Sequence, residues 1–492
     1  MSKIIIQNGN MCELDLPLKF AQKLYNEFAI RHPNAFYLRT RQRGMQNWDG
    51  KIHYITKTGQ FKIGLLPKVY DMCIEMGIKP KVVDMRQPLP KVSKVVTKIG
   101  KYKLRPEQEK AIKAVINNKV GKVPFQIGVL DYTVNAGKTL IMSSLYLSYK
   151  KQLKTLLITN DSDWLNQARE EFKQYLPGED ITFVQGKVLN WSNFTIGMVQ
   201  SISRNMRFYQ NELAKIDMVL VDEADQGGSK QYQNVITRLF NTRIRIGLSG
   251  TIYMSKLAKD KVKNMNLEVF FGKVLAEFKL KDSIKKGYST RTIVKMVPSK
   301  PWYGNWESEE VSYKEVYDDS ITFNKYARRM VYSRLKWNIK QGRYPALVVC
   351  KFIAHCENLC KYFKKKLGSK YNIACVHVDT PSKIRQQIMK DFREGKIDIL
   401  VSTTIIARGK NFPKLRYLLN AASMDSQEKS IQFLGRLVRT DSSKKKVYLD
   451  DLHYPGPYLN RHGKHRKQYY QKQELKVILL EKIWKNHPIH SL

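Results

Sequence analysis

Four short segments carry residue types suited to phosphate chemistry. The first is Thr133-Val134-Asn135-Ala136-Gly137-Lys138-Thr139, directly after the apolar run FQIGVL and the pair Asp131-Tyr132. Small residues let backbone N–H groups converge on phosphate oxygens, a lysine serves the β- and γ-phosphates, and a threonine hydroxyl serves Mg²⁺. Tyr132 stands where the full phosphate-loop pattern has glycine. The second segment, Asp222-Glu223-Ala224-Asp225, ends the run IDMVLV. One carboxylate at a strand end can hold Mg²⁺ through water, and the next can polarise an attacking water. The third, Ser249-Gly250-Thr251, closes IRIGLS. It reads either as an ordinary turn or as a hydroxyl link from a nucleotide site to another surface. The fourth contains Gln432, Gly435, Arg436 and Arg439. Arg436 and Arg439, three apart, are expected on one helix face, where planar guanidinium groups suit charge on a γ-phosphate.

These segments need strands and helices to position them. From about residue 100, apolar runs (FQIGVL, TLLIT, FTIGMVQ, MVLV, IRIGLS) alternate with helical stretches, which predicts a parallel α/β sheet. A second series follows with ALVVC, ACVHV, DILVST and RYLLNAA. The expected organisation is a small basic domain over 1–95, a first α/β domain over 96–275, a linker over 276–300, a second α/β domain over 301–455 and a basic tail over 456–492. In the tail, 461–467 reads as a solvated basic run and 468–484 as an amphipathic helix. Within 1–95, Leu18, Ala21, Leu24 and Phe28 recur at helical spacing, KIHYITKTGQFKIG reads as two short strands, and a helix runs from about Pro67 to Gly77.

Composition narrows the classes further. The 492 residues, 42% hydrophobic and 26% charged, can bury a sizeable core and are not those of a disordered chain. No run of 18 apolar residues predicts a membrane helix, the first residues do not form a signal peptide, and six cysteines are no disulfide scaffold. A cytoplasmic setting is expected. Lys+Arg number 87 against 43 Asp+Glu, a net charge of +44. That excess implies a polyanionic partner, nucleic acid first.

Taken together, the motifs resemble those of superfamily 2 helicases and translocases over about residues 100–445. Leu104-Arg105-Pro106-Glu107-Gln108 resembles the element preceding motif I, where a glutamine reads adenine. The loop 133–139 resembles motif I, Asp222-Glu223-Ala224-Asp225 motif II, Ser249-Gly250-Thr251 motif III and 432–439 motif VI. ITNDSDWLNQ (158–167) resembles motif Ia, TIGMVQS (195–201, with Gln200) the next motif, and VSTTIIARGKNF (401–412, with Thr403 and Gly409) motif V. The resemblance implies an α/β fold of two tandem RecA-like (P-loop NTPase) domains behind a small α+β nucleic-acid-binding domain. It implies ATP in the cleft between those domains, bound by Gln108, Asn135, Ala136, Gly137, Lys138, Thr139, Asp222 and Gly409. Thr139 and Asp222 hold Mg²⁺. Glu223, Gln432, Arg436 and Arg439 act in hydrolysis, and Ser249, Gly250 and Thr251 couple it to DNA lying near motifs Ia, III and V, with contacts from Gln200 and Thr403.

The match is nearer to the UvsW-type phage helicases, which remodel branched DNA, than to DEAD-box RNA helicases, whose motif III reads SAT. Arg43, Trp48, Asp49-Gly50, Lys51 and the later GLLP resemble the small N-terminal DNA-binding domain of the UvsW type. Bottom-up, Arg39 to Lys68 holds seven basic residues and one acid, interleaved with aromatics. Most of these aromatics, Phe36 and Tyr37 among them, are expected in the core of so small a domain, while Trp48 reads equally as a base-stacking residue. The expected partners are branched or forked duplex and single-stranded DNA, with phage replication and recombination proteins. An RNA helicase and the motor subunit of a restriction system remain as alternatives. Cys350, His355, Cys356 and Cys360 read as a buried helix face rather than a zinc site.

Overall fold

The computed structural model describes residues 2–41, 44–149, 152–160, 162–188, 190–250, 252, 258–299, 311–407, 412–441 and 444–480. The chain divides into two compact units, Met1–Phe278 and Lys279–Leu492.

The first unit contains two main sheets, with three two-stranded ribbons beside them among the described residues. Strands β1 (Lys3–Ile6), β2 (Met11–Asp15), β3 (Gln60–Lys62) and β4 (Lys81–Asp84) form a small sheet in the order β3-β2-β1-β4. Burial alternates along β1, so one face is apolar and packed. Helices α1 (Leu18–Glu27), α2 (Ala35–Arg41) and α3 (Leu66–Glu75) accompany it. Ala21, Leu24 and Phe28 are buried as their spacing requires, but Leu18 is 83% exposed, one turn too early to reach the core.

The second sheet of this unit is parallel throughout. Its strands are β5 (Ile127–Tyr132), β6 (Thr155–Thr159), β7 (Ile181–Val184), β8 (Phe194–Met198), β9 (Met218–Asp222), β10 (Ile244–Ser249) and β11 (Val274–Phe278), in the order β7-β8-β6-β9-β10-β5-β11. Every residue of β5, β6, β9 and β10 is buried, which is why they read as continuous apolar runs.

The two sheets share one core. Ile4, Ile6, Phe61, Leu65 and Val69 pack in the same cluster as Phe125, Ile127, Val219 and Phe270. Fully buried Arg245, on β10, donates to the carbonyls of Phe270 and Gly9 and, at 2.8 Å, to Asn10 Oδ1. Gly9 fits because a Cβ there would lie 2.6 Å from the Thr242 carbonyl oxygen. Residues 1–95 are therefore not a separately packed body: the boundary expected at 95 falls within one compact unit.

The second unit is built on β12 (Arg291–Pro298), β13 (Ala346–Cys350), β14 (Ile373–Val376), β15 (Ile399–Thr403), β16 (Tyr417–Asn420), β17 (Lys446–His453) and β18 (Lys476–Leu479), parallel and ordered β14-β15-β13-β16-β17-β12-β18. The stretch 276–300, expected as a linker, contains the end of β11, a helix at Leu280–Lys285 and all of β12. Alternating burial in β12 hides its apolar character from a search for continuous runs. The tail also differs from expectation. Residues 461–467 lie in a helix, Leu459–Lys472, and the chain then forms β18 on the sheet edge instead of a long amphipathic helix. Residues beyond 480 lie outside the described part.

Candidate functional site

In the first unit the chemistry-bearing segments converge at the C-terminal ends of three adjacent strands, β9, β10 and β5. Register places Asp131 opposite Ser249 and Asp222 opposite Leu248. In open α/β sheets ligands bind outside the carboxyl ends of the strands.

The loop after β5 leads into α4 (Lys138–Ser148), so Lys138 and Thr139 open a helix whose N–H groups face the loop. Asn135 and Gly137 adopt positive φ, 64° and 72°. The positive φ favours glycine at 137, and a Cβ there would lie 2.4 Å from Gln108 Nε2, so it would also displace that amide from the loop. Lys138 Nζ lies 3.4 Å from the Tyr132 carbonyl oxygen and turns back over the loop.

The helix preceding the loop (Pro106–Ile116) holds it in place. Gln108 Oε1 accepts from the Arg105 N–H at 2.8 Å, and its Nε2 donates to the Ala136 carbonyl at 2.8 Å. Arg105 Nη1 donates to the Asn135 carbonyl at 3.1 Å. Tyr132 is wholly buried and donates its hydroxyl to the Glu107 carbonyl at 2.7 Å. Burial pushes the Tyr132 phenol well above its ordinary value, so it remains a donor. The departure from glycine at 132 thus adds a tether. Gln108, expected to read adenine, has both ends of its amide on backbone groups here; the sequence does not reveal the roles of Arg105 and Tyr132.

The acidic segment follows β9. Asp222 is 5% exposed at the strand end. Glu223 sits at φ 53°, a left-handed conformation rare for a non-glycine residue and often found at functional sites. Ser249 Oγ donates to Asp225 Oδ1 at 2.7 Å with both residues buried, joining the second and third motifs through one hydrogen bond. Gly250 packs so closely that a Cβ would lie 3.0 Å from Thr133 Cα. Thr251 lies outside the described residues. Gln200, after β8, donates to the Asn160 carbonyl at 3.2 Å, tying the ends of β6 and β8 together.

In the second unit, α5 (Gln427–Leu437) carries Gln432 and Arg436. Arg439 lies just past the end of this helix rather than on its face. The Thr290 N–H takes the Val438 carbonyl at 2.8 Å, and Thr290 Oγ1 takes that of Arg439 at 3.2 Å, which draws the chain out of the helix. Thr403 ends β15 and is buried. Gly409 lies outside the described residues.

The N-terminal segment corrects the reading of its aromatics. Phe36 and Tyr37, expected in the core, are 80% and 53% exposed on α2. Arg41 stacks over Tyr37 at 4.4 Å. Trp48 is half-buried: its indole N–H donates to the Lys51 carbonyl at 2.9 Å and its ring meets His32 edge-on. Lys51 is exposed on a short strand at Lys51–His53, and Arg43 lies outside the described residues. In the second unit, Cys350, His355, Cys356 and Cys360 are buried, with His355 Nδ1 3.0 Å from the Tyr317 hydroxyl.

Two family models match the chain: "Type III restriction enzyme, res subunit" over residues 101–254 and "Helicase conserved C-terminal domain" over 329–441. Among curated proteins, one named as a helicase in Sulfolobus islandicus filamentous virus is 22% identical over 72% of this chain and 64% of its own length. The chain therefore spans just under two thirds of that relative. The ATP-dependent DNA helicase uvsW of Enterobacteria phage T4 is 21% identical over 82% of each chain. Among solved structures, the ATP-dependent type ISP restriction-modification enzyme LlaBIII bound to DNA matches with a TM-score of 0.57 at 13% identity, covering 83% of this chain and 34% of that one. That likeness concerns the fold. With two parallel α/β units in tandem, the first carrying the phosphate loop and the acidic strand end, the chain has the two-RecA-like-domain architecture and resembles the superfamily 2 helicases, the UvsW type among them.

Proposed function

We propose that the protein is an ATP-dependent DNA helicase or translocase that unwinds, anneals or branch-migrates branched DNA in recombination, repair or replication. The observation that carries this reading is the hydrogen bond from Ser249 to Asp225 at the strand ends beside Asp222, next to the strand whose following loop leads to Lys138. It gives the acidic segment a physical link to the motif expected to couple hydrolysis to DNA.

The residues fit a magnesium nucleotide. Thr139 and Asp222 are hard oxygen donors of the kind Mg²⁺ takes, and Lys138 supplies positive charge for phosphates. The tight positive-φ turn at Gly137 leaves the loop backbone open to close approach. Mg²⁺ would supply charge neutralisation at the phosphates. Glu223 accepts a proton from the attacking water, Gln432 positions that water or the γ-phosphate, and Arg436 and Arg439 stabilise the developing charge.

The net charge of +44 supports a polyanionic partner. Gln200 and Thr403, at strand ends, are proposed to contact DNA. On α2, exposed Phe36 and Tyr37 beside Arg39 and Arg41 suit stacking on unpaired bases with phosphate contacts alongside. Trp48, whose indole N–H holds the Lys51 carbonyl, braces the loop that carries Lys51. Phage replication and recombination proteins are proposed as partners, in the cytoplasm of the host. Among the described residues no helix is long and apolar enough to cross a membrane.

The test is ATP turnover with single-stranded, duplex, forked and four-way DNA and with RNA. Strongest stimulation by forked or four-way DNA is expected. Stimulation by RNA alone would replace this reading with an RNA helicase, and duplex-driven turnover without strand separation with a restriction-type motor.

A further inference from the structure

The segment between β16 and α5 is short and strained, buried over 421–424 and half-buried at Asp425 and Ser426. Ser423 is buried in a left-handed conformation, φ 43°, which no glycine relieves. Ser426 caps α5 by accepting from the Lys429 N–H at 3.2 Å. The conformation of residues 423–426 therefore sets where α5 begins and how Gln432 and Arg436 are presented.

That segment is held from a remote part of the sequence. Helix α6 (Leu459–Lys472) reaches three successive residues. His462 Nδ1 donates to the Ser423 carbonyl at 3.1 Å, Arg466 Nη1 to the Met424 carbonyl at 3.0 Å, and His465 Nδ1 to Asp425 Oδ1 at 2.9 Å. A carbonyl only accepts, so His462 carries its proton on Nδ1. Burial lowers the pKa of His462, partly opposed by the Ser423 carbonyl. Arg466 is wholly buried and fixed from behind: Nε and Nη2 donate to Asp451, and Nη2 also to the Leu452 carbonyl at 2.9 Å. Tyr470 donates to Asp451 at 2.7 Å and Asn420 Nδ2 does so at 2.9 Å. The Asp451 carboxylate, on β17, thus has four side-chain donor groups from two elements, α6 and β16, which anchors α6 to β16 and β17 before α6 touches the segment at all.

We infer that α6 is a positioning element for hydrolysis: His462, His465 and Arg466 grip residues 423–425 and so aim α5 with its arginine. The inference rests on the proposed role of Arg436. His465 is the informative residue, because it is only partly buried and its side chain touches the carboxylate just before the cap rather than the deep Asp451 network. Losing its hydrogen bond loosens the start of α5 while leaving the anchor intact. Misplacing a charge-stabilising group by about 1 Å can cost ~10²-fold in rate, so a partial loosening is expected to cost about tenfold.

The test uses the full chain carrying His465→Ala, His465→Asn or Arg436→Ala. Asparagine places an N–H donor close to where histidine has Nδ1. The expected result is that His465→Ala lowers DNA-stimulated kcat about tenfold with KM for ATP and the unfolding midpoint nearly unchanged, and that His465→Asn restores most of it. Amide hydrogen exchange in residues 426–430 rises in His465→Ala and not in His465→Asn. Wild-type kcat and unchanged exchange in His465→Ala, with Arg436→Ala inactive, overturn the positioning role alone. A fall in kcat that follows a lowered midpoint and is not rescued by asparagine overturns it too, in favour of a merely stabilising contact. Wild-type turnover in Arg436→Ala overturns the proposed catalytic role itself, while the exchange readout still decides whether α6 holds α5.

Discussion

Two wholly buried arginines among the described residues do the same structural work with opposite electrostatics. Arg245 in the first unit ties the N-terminal β1–β2 turn to strand β10, and Arg466 in the second ties α6 to β17. Both are wholly buried. Arg245 faces only neutral acceptors, two carbonyls and the Asn10 amide, and burial with Arg86 nearby pulls its pKa down to about 9. Arg466 is desolvated as fully, but the Asp451 carboxylate reverses the balance and its pKa is raised. A buried guanidinium held by dipoles carries uncompensated charge, whereas one held by a carboxylate forms a pair that is costly to break from either side.

The same contrast runs through the sites. The phosphate loop is held by residues only 25 to 30 positions away, Tyr132 to Glu107, Gln108 to Ala136 and Arg105 to Asn135. The segment leading to Arg436 is held across 39 to 42 positions by a helix that follows the last recognisable motif. The first site should therefore lose chemistry without losing fold, and the second should lose both together when its anchor is cut.

The largest expected effect is from Lys138→Ala. Turnover should vanish while the unfolding midpoint and DNA affinity stay close to wild type, because DNA affinity comes from a dispersed basic surface. Measurable loss of stability in the folded apoprotein would erase the distinction between the two sites. Next is Arg466→Leu, which leaves Asp451 buried without its cation and should destabilise the second unit by about 3–5 kcal/mol in denaturant unfolding. Arg245→Met should cost less, about 1–3 kcal/mol, since it strands only neutral acceptors. Equal costs would show that the carboxylate is not what separates the two anchors.

The effect that is smallest per step is in pH. Burial pushes His355 down to about 3 from an unfolded value of 6.5, partly opposed by Asp318. The unfolded chain therefore takes up the proton first, so stability is complete above pH 6.5 and falls as pH drops toward 3, by at most about 1.4 kcal/mol per unit. His355→Gln should flatten this acid slope in a pH series of unfolding midpoints. An unchanged slope would move the titration elsewhere.

The nucleotide motifs were legible because phosphate chemistry needs specific residue types at fixed spacing on strand ends. Asp222 and Ser249 end adjacent strands and Lys138 opens the helix that follows β5, the next strand in the sheet, as that spacing implies. The supports were not legible. Tyr132 read as a departure from pattern because its hydroxyl contact with Glu107 exists only in three dimensions. Phe36 and Tyr37 read as core because a small isolated domain would need them, but this domain borrows its core from the neighbouring sheet and leaves them outside. Arg466 and His465 sat in a run of basic residues indistinguishable by composition from a solvated face. The strand Arg291–Pro298 was lost for a similar reason, its alternating burial lacking a continuous apolar run.

The central claim is that the acidic edge at Asp222 and Glu223 hydrolyses ATP in response to branched DNA. The most direct measurement is steady-state turnover of Glu223→Gln with saturating four-way junction, alongside ATP binding to the same preparation. The account predicts retained ATP binding with turnover lower by at least ~10²-fold, because the amide keeps the shape but cannot accept the proton from water. Wild-type turnover in this variant would contradict the claim and place the catalytic base at another residue.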